Sequence, residues 1–291
     1  MNLDQVYDEL YGAIDENLRS DTSLAGRVGT LETKMTAAEG DITALEGLIP
    51  EVPGRQLKLV NLGTEYTEEL QEDISTGAFE KAVVGGYLTI NEHVYIFAHP
   101  DYFFNAGYGS TRVNTHHMVV VPANMLATGR MNLTNTATGG YLGSDLRNGH
   151  EDTTDPDNPV HVNGALEDAA AIIINDFGAD NILTVKQQFT NAISDGAASS
   201  WSAVNSTIEL MNETMLYGHT VASANPYYDT AIAKTQFKLF SERPDLISIG
   251  LYYWLRDIAS ATTFATMNNY GAANRNDASN IYGVRPYFCI K

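Results

Sequence analysis

The chain has 291 residues, 44% of them apolar, enough for one large domain with an appendage or for two small domains. Its formal charge of −19 repels nucleic acid and anionic membrane, so neither is expected as a partner. A single cysteine, Cys289, excludes an intramolecular disulfide and is expected as a buried thiol in a closing strand.

The opening Met1-Asn2-Leu3-Asp4 does not read as a signal peptide, and no apolar run approaches the roughly 20 residues of a membrane span. The expectation is synthesis in a cytoplasm. Residues 3–19 predict a short amphipathic helix with Leu3, Val6, Leu10, Ile14 and Leu18 near one stripe. Residues 1–22 are expected as an anchor, and Asp21 or Ser23 can cap the next helix.

That next helix carries the clearest pattern. Leu24, Leu31, Ala38 and Leu45 fall at d, and Val28, Met35, Ile42 and Ile49 fall at a. This is an unbroken heptad, from which a lone straight helix would drift. In a parallel, in-register bundle Arg27 meets Glu32 and Lys34 meets Glu39, while Asp41 facing Glu46 is a mismatch. Gly26, Gly29, Gly40 and Gly47 weaken the helix but sit on its outer face, so partner chains must stabilise it. Pro50 and Pro53 end it, giving a stalk over 23–50 whose helix spans about 39 Å. β-branched a with Leu at d leans towards a dimer, and Leu48 at g widens the seam towards three strands. A trimer is favoured. The rival reading is an amphipathic helix packed on its own domain.

From residue 55 the pattern changes. Strands are predicted over 56–62 and 82–97, the latter broken at Gly85 and Gly86, and over 118–121. Residues 148–163 read as a long loop, 165–175 and 181–193 as helices, 239–255 as a mixed apolar and aromatic run, and 281–290 as the closing strand. Together they predict one α+β domain over 55–291. Sixteen tyrosines suit either recognition loops or a β-rich core.

Little in this pattern points to catalysis. The adjacent His116 and His117 would face opposite ways on a strand, and the other histidines lack ligand spacing, so no metal is expected. Asp152, Asp155 and Asp157 lack the glycine of a calcium loop. Asp176-Phe177-Gly178 has no companion kinase motifs. There is no Walker A run, no G-x-S-x-G and no H-E-x-x-H. Carboxylate pairs for glycoside hydrolysis remain open, because 36 acidic residues always offer pairs. No catalytic residue and no cofactor is expected. One stretch, 266–280, concentrates Asn268, Asn269, Tyr270, Asn274, Arg275 and Asp277. Amides suit hydroxyls and an aromatic suits a sugar face, so these are the candidate ligand-binding residues. A turn-rich connection has the same composition.

Five stretches carry a resemblance. They are Gly139-Gly140-Tyr141-Leu142-Gly143-Ser144-Asp145-Leu146-Arg147, Ile208-Glu209-Leu210-Met211-Asn212-Glu213 with Tyr217-Gly218, Phe237-Lys238-Leu239-Phe240, Tyr253-Trp254-Leu255-Arg256 and Tyr282-Gly283-Val284-Arg285-Pro286. In this order they resemble an uncharacterised domain common in phage and prophage proteins of gut bacteria. That domain is similar to the C-type-lectin-like fold shared by formylglycine-generating enzymes and some phage tropism proteins. The likeness covers about 80–291, and residues 25–49 look like the coiled-coil repeats of phage fibres.

The resemblance implies a C-type-lectin-like domain on a parallel coiled coil, with first and last strands close together. It implies a bacteriophage virion protein: a homotrimeric head or tail fibre or decoration subunit for host attachment. The N-terminal segment would contact other virion proteins, and the domain a host surface glycan or protein. The alternatives are a purely structural virion protein and a glycan-active enzyme. The cysteines of the enzyme branch are missing. So are the Glu-Pro-Asn or Gln-Pro-Asp and Trp-Asn-Asp triplets of calcium-dependent lectins. Trp254 is expected in the core. Arg256 and Arg285 are expected to bond carbonyls or carboxylates, with Asp145 a candidate partner. Gly283 would allow a turn and Pro286 would fit an edge position.

Overall fold

The computed structural model describes residues 30–31, 33–36, 57–106, 112–155, 159–226 and 235–291. The chain divides into two units, Met1–Arg55 and Gln56–Lys291. In the first, residues 30–31 and 33–36 are helical. Leu31 and Met35, the d and a residues among them, are 42% and 63% exposed in the single chain. The expected helix over 3–19, the rest of the heptad and its pairing lie outside the described residues.

The second unit is α+β. In chain order it runs β1 (Val60–Asn61), α1 (Glu68–Ser75), β2 (Gly86–Ile90), β3 (His93–Pro100), β4 (Met118–Pro122), β5 (Ala127–Arg130), α2 (Asp145–Asn148), β6 (His150–Asp152), β7 (Val160–Val162) and α3 (Ala165–Phe177). It continues through β8 (Val185–Ser194), β9 (Ala197–Ser206), β10 (Ile208–Leu210), α4 (Glu213–Tyr217), α5 (Lys238–Glu242), β11 (Tyr253–Ile258), β12 (Thr263–Met267), β13 (Ala273–Asp277), β14 (Ile281–Val284) and β15 (Pro286–Ile290). One sheet has the order β1-β2-β3-β4-β15-β10 and a second β13-β12-β11-β14-β5, while β6-β7 and β8-β9 are separate hairpins.

The inner strands of both large sheets pack apolar side chains on both faces. Strand alternation sends Phe288 into one core cluster and Tyr287 into the other, and separates Trp254 from Tyr253 in the same way. Strands buried on two faces read as continuous apolar runs, and β4 is buried along its whole length. Helix α3 covers one face with Leu166, Ala169, Ile173 and Phe177, spaced three and four apart. Phe177 meets the edges of Tyr95 and Phe288 at centroid distances of 4.9 and 5.0 Å. Gly129 makes the close approach possible: a Cβ there would stand 2.6 Å from Ala165 Cβ.

The closing run 281–290 is two strands in two sheets. β14 pairs with β11 and β5, whereas β15 lies between β4 and β10. Pro286 is therefore in an interior strand. It is tolerated as that strand's first residue, opposite Leu210 and ahead of the first β4 pair at Phe288. Gly283 is mid-strand and makes no turn; a Cβ there would sit 2.7 Å from Met125 Sδ. The expected helix at 181–193 is strand β8, because Val185, Gln187 and Phe189 bury alternately. The expected loop at 148–163 contains hairpin β6-β7. The break in 82–97 falls at Asn91 and Glu92, both at positive φ, and not at the glycine pair. β1 and β15 share a sheet, but β2, β3 and β4 separate them.

Candidate functional site

The candidate ligand residues lie on hairpin β12-β13, whose ladder runs from Thr263↔Asp277 to Met267↔Ala273. Its turn is bonded from within. Asn268 Oδ1 accepts from the N–H groups of Tyr270 (2.9 Å) and Ala272 (3.0 Å). Asn268 N–H donates to Ala272 O (3.0 Å), and Gly271, at φ +89, donates to Asn268 O (3.1 Å). The turn is also tied to the body. Ser248 Oγ donates to Asn269 O (2.9 Å) and the Tyr217 hydroxyl to Gly271 O (3.2 Å). Tyr270 is 86% exposed on this fixed backbone. A rigid, amphipathic ring so presented loses little conformational entropy on binding.

β13 is the sheet edge. Its even-numbered residues bond inward to β12, so the N–H of Arg275 points outward, where Asn274 Oδ1 accepts it at 2.8 Å. This blunts the edge against strand addition. Asn276 turns its amide inward, donating to Thr266 Oγ1 (2.7 Å) and accepting from the Tyr282 hydroxyl (3.1 Å). Of the six candidates, Tyr270, Arg275 and Asp277 reach solvent. Asn268 and Asn274 use their side-chain oxygens on backbone, and Asn269 is half-buried. What was expected as one polar loop is thus a turn followed by an edge strand.

The motif residues lie inside. Trp254 is fully buried, donates from Nε1 to Gly129 O (2.9 Å) and meets Tyr282 edge-on at 5.0 Å. Arg285 sits where the chain crosses from β14 to β15. Its Nε donates to Pro122 O (2.8 Å) and its Nη1 to Leu246 O (3.0 Å) and Ile247 O (3.1 Å). Its guanidinium lies over the Phe240 and Tyr253 rings at 5.6 and 5.5 Å. Arg256 donates to Gln187 Oε1 and stacks on Phe189 at 4.6 Å. Tyr287 donates to the same Gln187 oxygen, and Gln187 Nε2 donates to Ser206 Oγ (2.9 Å).

Asp145 pairs with neither arginine; it accepts from Leu133 N–H at 2.7 Å. Within the motif segments, Glu209 is a carboxylate that does hold an arginine. It accepts from Arg147 Nη2 (2.8 Å) and the Tyr141 hydroxyl (2.7 Å), joining motif segments 62 residues apart. Sequence spacing has no local mark for the bonds of Glu209 to Arg147, Tyr217 to Gly271 or Ser248 to Asn269, which join residues distant along the chain.

Two further carboxylates are neighbours, Glu213 buried and Asp257 half-buried. Glu213 Oε1 accepts from Ala222 N–H (2.8 Å), and its Oε2 from Val221 N–H (2.9 Å), Ser223 N–H (3.1 Å) and Ser223 Oγ (2.7 Å). Asp257 Oδ2 accepts from Glu213 N–H at 2.6 Å. Burial, and next the neighbouring Glu213 charge, push Asp257 up to about 7. With both oxygens of Glu213 engaged by backbone, this arrangement holds a loop in place.

The histidines diverge. His117 is buried, accepts from Phe103 N–H at Nε2 (3.0 Å) and donates from Nδ1 to Thr115 O (2.9 Å). Burial holds it below its ordinary value and so neutral. His116 faces Asp101 at 2.7 Å and stacks on Phe104 at 4.6 Å. Among the described residues no group of three or more His, Cys, Asp or Glu could hold a metal. Asp176 ends α3 and accepts from the Tyr95 hydroxyl (2.6 Å) and Asn91 Nδ2 (2.8 Å). Cys289 is buried, which pushes its thiol up. Among the described residues no helix is long and apolar enough to cross a membrane.

No family model, curated protein or solved structure matches this chain.

Proposed function

We propose that the chain is a bacteriophage virion structural protein: a trimeric head or tail fibre or decoration subunit, not an enzyme. Residues 1–22 anchor it to other virion proteins and residues 23–50 form a parallel stalk. Residues 55–291 form a C-type-lectin-like domain that faces outward. The turn of β12-β13, with Tyr270, Arg275 and Asp277, contacts host surface glycan or protein. One observation carries the reading: an unbroken heptad precedes a domain that holds Tyr270 at 86% exposure on a bonded turn. A single contact of this kind is weak, so attachment depends on avidity across three heads.

The test is adsorption of particles carrying Tyr270→Ala with Arg275→Ala. Assembly should be intact and adsorption reduced. Unchanged adsorption would favour a second reading, in which the domain contacts neighbouring virion subunits. That reading draws on Val160 and Val162, 62% and 39% exposed on one face of β7. Electron microscopy of particles labelled on this protein tests the virion assignment itself.

A further inference from the structure

Strand β13 divides its side chains between two faces. Arg275 and Asp277 point one way, and Asn274 and Asn276 the other. On the second face Asn274 lies opposite Thr266 of β12, and Thr266 lies opposite Trp254 of β11. Trp254 meets Tyr282 edge-on at 5.0 Å, and Tyr252 stacks on Tyr282 at 5.2 Å and 23°. Trp254 is buried and both tyrosines are half-buried, so aromatic surface runs from the core out to solvent. Beside the rings the amides are held in place. Asn276 Nδ2 donates to Thr266 Oγ1 (2.7 Å), and Asn276 Oδ1 accepts from the Tyr282 hydroxyl (3.1 Å). That hydroxyl accepts in turn from Asn280 Nδ2 (3.4 Å). Asn274 Oδ1 accepts from Arg275 N–H (2.8 Å). The Asn274 Nδ2 donor, the Asn280 Oδ1 acceptor and the Tyr252 hydroxyl are then left with no partner among the described residues.

We propose that this face binds an uncharged saccharide, with the sugar ring against Tyr252 and Tyr282 and its hydroxyls on Asn274 and Asn280. A sugar hydroxyl both donates and accepts. Neighbouring hydroxyls therefore match an amide donor and an amide acceptor whose orientations the fold has already set. The C–H face of a sugar suits half-exposed tyrosine rings, which lose little entropy on binding. Tyr252, Asn274, Asn276, Asn280 and Tyr282 carry no charge, and a chain of charge −19 repels acidic sugars. The ligand class is accordingly neutral: hexose or N-acetylhexosamine units. The inference narrows the host contact proposed for hairpin β12-β13 to saccharide and extends it to the face opposite Arg275 and Asp277, so it rests on that reading.

The test is an array of neutral hexose and N-acetylhexosamine oligomers beside their sialylated counterparts, probed with the full chain. The natural chain should prefer neutral oligomers. Asn274→Ala with Asn280→Ala should weaken that binding about tenfold or more, through the loss of two hydrogen bonds to an uncharged ligand. Should that variant fail to fold, Tyr252→Ala decides, and binding should fall at least as far. Binding to no neutral oligomer, or a preference for the sialylated ones, overturns the saccharide site. The adsorption test of the hairpin, which also admits a protein ligand, then stands on its own. Neutral binding that survives the substitutions at this face overturns the site as well. If Tyr270→Ala with Arg275→Ala abolishes that binding, the turn is the contact and the proposed function holds without this face.

Discussion

Arg285 carries a charge inside the domain without a carboxylate beside it among the described residues. Its stability there rests on three backbone carbonyls and two ring faces. Those carbonyls terminate β4 and the 3-10 turn Pro244–Leu246, so the side chain fixes where the two sheets exchange the chain. Arg285→Ala removes this donor from all three, and though Ile247 O keeps the Tyr253 hydroxyl at 2.9 Å, each group left unsatisfied costs about 1–3 kcal/mol. Trp254→Ala removes a large buried ring and should cost ~3–5 kcal/mol, read as a lower thermal midpoint. Tyr270→Ala should shift that midpoint hardly at all, within about 0.5 kcal/mol, since the ring is exposed. His161 titrates on the surface, where the hydrogen bonds its ring donates to Glu151 first and Glu167 next raise it. A raised histidine stabilises while protonated, and the contribution is lost as pH rises through the raised value. Glu167→Gln should therefore lower the His161 midpoint in an NMR titration; an unchanged midpoint would show that Glu167 does not act on it.

At the scale of elements, what could be read from sequence depended on which side chains line the core. Helix α3 was legible because its buried face is aliphatic at helical spacing. Strand β8 was not. Val185, Phe189 and Ile193 stand four apart, as in a helix, and the residue that restores alternation is Gln187, buried for its bonds to Arg256, Tyr287 and Ser206. In the polar stretch 266–280 the exposed Tyr270, Arg275 and Asp277 were legible as surface, but the burial of Thr266, Met267 and Ala278 and the strand β13 were not, because an edge strand needs no apolar alternation. The continuous run 281–290 hid a change of sheet, since strands buried on both faces leave no periodicity at which to see the crossing. Of the candidate site, the exposed tyrosine was legible by composition; the bonds from Ser248 and Tyr217 that fix its turn were not. β15 supplies partners to β4 and β10 together, so removing residues 286–291 should abolish the cooperative thermal transition. A sharp transition in that truncation would show that the sheet closes without it.

For the whole molecule, a charge of −19 per chain sets the terms of association. The proposed assembly through the heptad would bring like charges together, a repulsion that salt screens over about 10 Å at 0.1 M. Light scattering of the full chain at micromolar concentration should report a trimer, and raising the salt should increase its thermal midpoint. A monomer under those conditions would remove the stalk. The order of strands in the large sheet bears on how a cell makes this protein. As the ribosome proceeds from residue 57, β4 and β10 both emerge before the strand that joins them, β15, which is the last of the strands among the described residues. Until then two facing edges stay open, and one belongs to β4, whose residues are all buried in the finished fold. Nascent chains should therefore remain incompletely folded until β15 emerges, bind holdase chaperones, and be prone to aggregate when translation stalls ahead of it.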